Sequence, residues 1–272
     1  MRRARWSAVN QSRADVFDEK FGEFQRWQAS PWGRLRYTTA AVNLTAHLPA
    51  GPLTILDVGG GNGLDALELA ARGHHVTIAD ISDQSLAEAR AAAAQRGLED
   101  RVSTRHASLD TLGAEFGRDC FDVLLCHNVI QYLPDPAGVI AALAVPLRAS
   151  GVLSVIAPNA GADPVLTAVR GLDPDRALRM LDTASRYSVA YETTTRACYP
   201  DHVKAELAAA GFEVIAHLGI RTVCDYILDD ERKSDPEFYR QLERLELVLA
   251  ARTPYIHLAR FFHFIAKRSS PR

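Results

Sequence analysis

Ile55-Leu56-Asp57-Val58-Gly59-Gly60-Gly61-Asn62-Gly63-Leu64 is an apolar run that breaks into a glycine-rich turn. The apolar run reads as a buried parallel strand. The turn opens a helical pattern, Asp65-Ala66-Leu67-Glu68-Leu69-Ala70-Ala71. A second apolar strand, His75-Val76-Thr77-Ile78-Ala79-Asp80, follows and ends on a carboxylate. Strand, glycine turn, helix, strand, acid is the order in which α/β proteins grip an adenosine-containing cofactor.

The same alternation continues downstream. Strands are expected at 54–58, 75–80, 101–106, 121–127 and 151–157, with helices between them at about 63–72, 83–96, 108–116 and 136–148. This pattern gives a doubly wound α/β fold with a mostly parallel sheet. Upstream, Val16, Phe17, Phe21, Phe24, Leu35, Tyr37, Ala40, Val42 and Leu44 carry helical periodicity. Asp15 and Ser30 supply helix-start signals and Pro31 a first-turn position, so residues 1–50 form an N-terminal helical cap and 51–272 the main domain. The alternation stops at Pro158-Asn159-Ala160-Gly161, where an insertion of about 159–200 begins. A helix at 201–210, a strand at 212–220, a helix at about 236–252 and a strand at 255–265 complete the chain.

A chain of 272 residues with 47% hydrophobic and 24% charged residues is an ordinary globular composition. Net charge of −2 leaves no overall electrostatic footprint for nucleic acid. Stretches such as Val139-Ile140-Ala141-Ala142-Leu143-Ala144-Val145 are far too short to span a bilayer. Arg2-Arg3 is followed by no apolar segment of the kind a secretion signal needs. Cys120, Cys126, Cys198 and Cys224 lack CxxC spacing, which favours buried thiols in a reducing compartment over a disulfide frame or a metal site. The expectation is a cytoplasmic protein without a metal or a membrane partner, monomeric or homodimeric.

Two cofactors fit the loop. Gly61-x-Gly63-x-x-Ala66 matches the loose dinucleotide fingerprint, and Asp80 can hold a ribose, which suits an NAD-dependent oxidoreductase. The other frame, Asp57-x-Gly59-x-Gly61-x-Gly63, resembles motif I of the class I S-adenosylmethionine-dependent methyltransferases. The resemblance extends through the carboxylate of Asp80, His106-Ala107-Ser108, the segment from Phe121 to Pro136, and Leu147-Arg148-x-x-Gly151. It implies a seven-stranded sheet with an antiparallel C-terminal strand, and S-adenosylmethionine as cofactor. It further implies that Asp57, Gly59, Gly60, Gly61 and Gly63 seat the methionine moiety, with Asp80 and Ile81 at the ribose, Ala107 and Ser108 at the adenine, and His127 near the methionine end. Glycines admit the close approach such a seat requires, and Asp80 supplies acceptors for a diol.

Arg221-Thr222-Val223-Cys224-Asp225-Tyr226-Ile227 and Pro254-Tyr255-Ile256-x-Leu258-x-Arg260-x-x-His263 are similar to the end of the bacterial tRNA 5-carboxymethoxyuridine carboxyl methyltransferases. Glu19-Lys20-Phe21, Gly33-x-Leu35-Arg36, Arg72-Gly73-His74 and His127 extend that likeness, which implies that Arg36 reaches the cofactor carboxylate. The insertion departs from that group. Where those enzymes carry a lysine-rich stretch, residues 181–193 here hold one basic and two acidic residues. Phosphate contacts dominate nucleic-acid affinity. A small-molecule acceptor bearing a carboxylate or hydroxyl is therefore expected, with a tRNA wobble uridine as the alternative and a non-catalytic cofactor-binding module as a further class. His127, His257 and His263 are candidate bases, with Tyr255 as a positioning hydroxyl. Arg221 and Arg260 can clamp an acidic acceptor or form ion pairs, Arg221 with Asp225. Trp32, Tyr187, Tyr191 and Tyr199 are candidates for an aromatic lid.

Overall fold

Seven strands form one sheet: β1 Thr54–Val58, β2 His75–Asp80, β3 Val102–His106, β4 Phe121–His127, β5 Leu147–Pro158, β8 Phe212–Ile220 and β9 Phe261–Arg268. The computed structural model describes residues 18–109, 111–133, 136–181, 183–188 and 193–269. The strand order is β3-β2-β1-β4-β5-β9-β8. The first five strands pair parallel, and β9 runs antiparallel to both β5 and β8. Along the central strands the two faces alternate, as a period of two requires. Ile55, Val123 and Leu125 join the core under helices Pro31–Thr45, Leu64–Ala71 and Asp83–Gln95. Leu56, Leu124 and Cys126 join the core under helices Pro136–Leu143 and Pro200–Ala209.

The chain leaves β1 toward β2 and β3 and returns at β4, so the sheet order reverses between β1 and β4. Parallel α/β sheets bind ligands beyond the strand C-termini at such a switch point. Among the described residues, two helices, Phe21–Ala29 and Pro31–Thr45, precede β1. Ser30 caps the second by accepting the Gly33 amide at 3.1 Å, and Pro31 occupies its first turn. The other start signal, Asp15, lies outside the described residues. After β5 come helices Asp163–Arg170 and Pro174–Arg179 and a two-stranded hairpin of β6 Ser185–Ser188 and β7 Thr193–Arg196.

Three boundaries differ from the sequence-based expectation. Tyr255-Ile256-His257 is a 3-10 turn, and the last strand starts only at Phe261. The aromatic and β-branched character of 255–265 thus spans a turn as well as a strand. Helices expected at 108–116 and 136–148 are shorter, Leu112–Phe116 and Pro136–Leu143. Leu147 already pairs with Phe121, so β5 takes over the end of the second segment. Of the four thiols, Cys126, Cys198 and Cys224 are buried and Cys120 is exposed.

Candidate active site

A cavity of about 850 Å³ opens at the C-terminal ends of β1, β2, β4 and β5. Its floor is the glycine loop. Gly59, Gly61 and Gly63 have φ of 68°, 55° and 78°, where a side chain is strained. A Cβ on Gly59 would lie 2.6 Å from Val129, and one on Gly60 would lie 2.5 Å from the Asp57 carboxylate. Gly63 is not on the wall. It starts the helix Leu64–Ala71, where a Cβ would meet Ile78 at 2.7 Å.

Asp80, at the end of β2, accepts the Gly61 amide at 2.8 Å through one oxygen and the Ser82 amide at 2.9 Å through the other. Burial raises its carboxyl above the usual range, and these amides oppose that rise. A carboxylate has about four acceptor sites. Asp80 therefore keeps capacity for a ribose diol. Ser82, not Asp80, caps the helix Asp83–Gln95. Ile81, Ala107 and Ser108 also line the cavity.

At the other end of the loop, Arg36 donates through Nη1 to Asp65 Oδ2 at 2.6 Å. The Nδ1 of His127 lies 2.9 Å from the same oxygen. Burial alone would raise Asp65, but Arg36 and His127 carry it below the usual carboxylate range. The His127 Nε2 faces Ser154 Oγ at 2.7 Å. Both ring nitrogens are thus engaged, and neither is left to take a proton from an acceptor. His263 is fully buried behind His127, with Nε2 2.8 Å from Ser154 Oγ, and it does not reach the wall. Asp57 is buried, and burial together with Asp65 raises its carboxyl well above the ordinary value.

Asp57 Oδ2 and Arg36 Nε are buried without a hydrogen-bond partner among the described residues. Buried polar atoms require partners. An acceptor at Asp57 and a donor at Arg36, on either side of a glycine seat, match the ammonium and carboxylate of an amino acid. The residues present therefore fit S-adenosylmethionine.

The far end of the cavity is built by the first helix, the hairpin and the segments flanking β8 and β9. Phe21, Phe24 and Trp27 come from the helix, Arg186 and Tyr187 from β6, and Arg221, Asp225, Arg260 and Phe261 from the C-terminal part. Arg221, at φ 61°, sits just before the turn Cys224–Tyr226. Two buried charges fix that turn. Glu246 accepts the amides of Thr222, Val223 and Cys224 at 2.6, 2.8 and 2.6 Å. Lys233 donates to the carbonyls of Cys224 and Ile227 at 3.3 and 3.0 Å.

Four expected site residues, Trp32, Tyr199, Tyr255 and His257, lie elsewhere. Trp32 packs against the cluster of Leu35, Cys224 and Leu242, with its ring 5.1 Å from Lys233 Nζ, and the tryptophan on the cavity wall is Trp27. Tyr255 is 43% exposed in its 3-10 turn and is absent from the wall, as is His257. Tyr199 donates to the Leu181 and Thr183 carbonyls within the insertion. Tyr191 lies outside the described residues. Sequence reasoning passed over Asp65 and Ser154. The signal for Ser154 was present, since a lone polar residue inside the apolar run of β5 must find a buried partner.

Residues 55–151 match the family model described as a methyltransferase domain. The tRNA 5-carboxymethoxyuridine methyltransferase of Escherichia coli K12 is 30% identical over 217 residues, covering 79% of this chain and 80% of the relative. A ubiquinone biosynthesis O-methyltransferase of Psychrobacter cryohalolentis is 31% identical over 146 residues, 54% of this chain and 56% of the relative. Among solved structures, a Burkholderia thailandensis 1,6-didemethyltoxoflavin-N1-methyltransferase superposes with a TM-score of 0.62 at 19% identity, covering 98% of this chain and 90% of that one. The dinucleotide reading of the loop gives way to these matches. The chain is a class I S-adenosylmethionine-dependent methyltransferase and belongs to the family that includes the tRNA 5-carboxymethoxyuridine methyltransferases.

Proposed function

We propose that the enzyme methylates a small-molecule acceptor. The observation that carries this reading is the direction in which the hairpin points Arg186. Arg186 turns inward to pair with Asp163, and Tyr187 beside it lines the cavity. Across 159–200 five arginines meet five acidic residues and there is no lysine, a poor match to a phosphate backbone. The cavity volume falls within the range of roughly 300–1,000 Å³ common for small-molecule sites.

S-adenosylmethionine supplies a methyl group on a sulfonium, whose electron pair returns to sulfur as the acceptor bonds the methyl carbon. The protein's own part is to hold, orient and keep dry. Arg36 and Asp57 would hold the amino-acid end, Asp80 and Ile81 the ribose, and Ala107 and Ser108 the adenine. The first helix and the hairpin exclude water from the acceptor end, where in-line placement contributes most of the rate. A carboxylate acceptor needs no base, because it is ionised at neutral pH. We place the protein in the cytoplasm.

A tRNA acceptor is the second reading, supported by the 30% identity to the tRNA enzymes over most of the chain. Incubation with methyl-labelled S-adenosylmethionine and a cell extract, then separation by mass, tests the two. Label is expected in the low-molecular-mass fraction. Label in tRNA would overturn the proposal and restore the alternative.

A further inference from the structure

The acceptor end of the cavity holds a locally unbalanced set of charges. Three guanidiniums stand on its wall: Arg186, Arg221 and Arg260. Two carboxylates face them. Asp225 takes Arg221 through both Nε, at 2.8 Å, and Nη2, so that pair is closed. Asp163 is shared. It accepts Nε and Nη2 of Arg186, the latter at 2.9 Å, and Nη1 of Arg260 at 2.7 Å. Among the described residues the only other charged group on the wall outside the cofactor end is Glu23, exposed on the first helix. Counting Glu23 the wall sums to zero, so the imbalance is local: Asp163 alone serves two guanidiniums, and the Arg186–Asp163–Arg260 cluster carries one net positive charge.

Arginine does not give up its proton under ordinary conditions. An excess cation largely shielded from water is costly unless an anion joins it, and the Arg186 and Arg260 side chains are 13% and 30% exposed. Burial and the neighbouring Arg186 push Arg260 down to about 10 even with Asp163 beside it. The walls next to this pair are aromatic. Phe24 and Trp27 stack with centroids 5.6 Å apart and planes 8° apart. The Arg221 guanidinium lies 5.8 Å from the Trp27 ring and 5.5 Å from the Phe261 ring.

We infer that the methyl acceptor is an aromatic monoanion, with its ring on the aromatic wall of Phe24, Trp27 and Phe261 and its carboxylate on Arg260 and Arg186. This rests on the small-molecule reading above. The carboxylate completes the charge that Asp163 alone leaves open. Arg221, already matched by Asp225, contributes a surface for the ring rather than the ionic contact. The acid group is the anchor, and the group methylated is a ring hydroxyl that loses its proton to solvent before its oxygen bonds the methyl carbon and the carbon–sulfur electron pair returns to sulfur.

Calorimetric titration of the protein saturated with S-adenosylhomocysteine tests this. The probes are 4-hydroxybenzoate, 3,4-dihydroxybenzoate and 4-hydroxyphenylacetate, each paired with its primary amide. At least one acid is expected to bind about tenfold or more tighter than its amide, the worth of a charge-assisted hydrogen bond. Arg260→Gln should erase that gap and Arg260→Lys keep part of it, with S-adenosylhomocysteine affinity unchanged in both. Asp163→Asn should tighten the acid, since both arginines lose their internal counter-ion, whereas a purely structural ion pair would weaken binding when broken. Equal affinities within every pair, or a gap that survives Arg260→Gln, would overturn the inference. Label in the small-molecule fraction without an acid–amide gap defeats the anion assignment alone. Label in tRNA removes the small-molecule reading whatever the gap.

Discussion

The imidazoles of His127 and His263 share one hydroxyl: Ser154 Oγ lies 2.7 Å from Nε2 of the first and 2.8 Å from Nε2 of the second. A hydroxyl carries one proton, so it donates to one ring and accepts from the other. Asp65 settles which. Its carboxylate is held ionised and accepts the Nδ1 proton of His127. A neutral His127 then has a bare Nε2, which accepts from Ser154. Ser154 in turn accepts from His263 Nε2, and the bare Nδ1 of His263 faces Asn43 Nδ2 at 3.5 Å. Burial holds both imidazoles below their ordinary value, which keeps the chain neutral.

Protonation of either ring reverses a donor in this chain. A histidine whose folded pKa is lowered binds its proton more readily when unfolded. It therefore contributes stability that is present above the unfolded value near 6.5 and is lost as pH falls below it. Stability should drop by about 1.4 kcal/mol per pH unit for each histidine as pH falls from 6.5. His263→Phe should take up one proton fewer on acid unfolding. Urea titrations at pH 7.5, 6.5 and 5.5 measure this, and an unchanged slope in His263→Phe would remove His263 from the chain.

The cofactor half of the site was legible in the sequence because it is local. A strand end, three alternate glycines and a carboxylate at the end of the next strand lie within 26 residues, and Gly59, Gly61 and Asp80 line the cavity. The acceptor half was legible only by residue type. Trp32 and Trp27 sit on adjoining helices, and their order in the sequence does not show which faces the cavity. Packing decides it: Trp32 joins the cluster of Leu35, Cys224 and Leu242, which leaves Trp27 on the wall. Ser154, Asn43 and His263 come from β5, the second helix and β9, so their meeting depends on the sheet order. Arg186 reads as a lone cation until the fold brings Asp163 to it.

Asp57 should trade stability for binding. Its raised carboxyl means that the protonated form's contribution is present below the unfolded value near 3.9 and is lost as pH rises through the folded value. At neutral pH the buried charge costs stability unless an ammonium joins it. Asp57→Asn is expected to raise the Tm of the ligand-free protein at pH 7.5 by about 2–4 °C, equivalent to roughly 1 kcal/mol. The gain should shrink toward acid pH, and most of the Tm increase produced by S-adenosylhomocysteine should vanish. Thermal scans at three pH values check both. A variant destabilised at every pH would show that Asp57 serves the fold and not the ligand.

Gln28 and Asn62 should set how fast the cofactor leaves. Gln28 donates to Asn62 Oδ1 at 3.0 Å, and Asn62 donates back to Gln28 Oε1 at 2.8 Å. This reciprocal amide pair is a direct polar tie between the first helix and the glycine loop, and Gln28 also donates to Tyr37 Oη at 2.7 Å. The helix forms one wall of the cavity, so loosening its tie to the glycine loop widens the way out for a bound cofactor. Each neutral hydrogen bond contributes about 0.5–1.5 kcal/mol net. Gln28→Ala removes both bonds of the pair and should speed S-adenosylhomocysteine release roughly tenfold. The association rate should change far less, because the open state is the one that binds. Stopped-flow measurement of both rates decides the point. If Gln28→Ala slows association and leaves release unchanged, the pair shapes the seat instead of latching the helix over it.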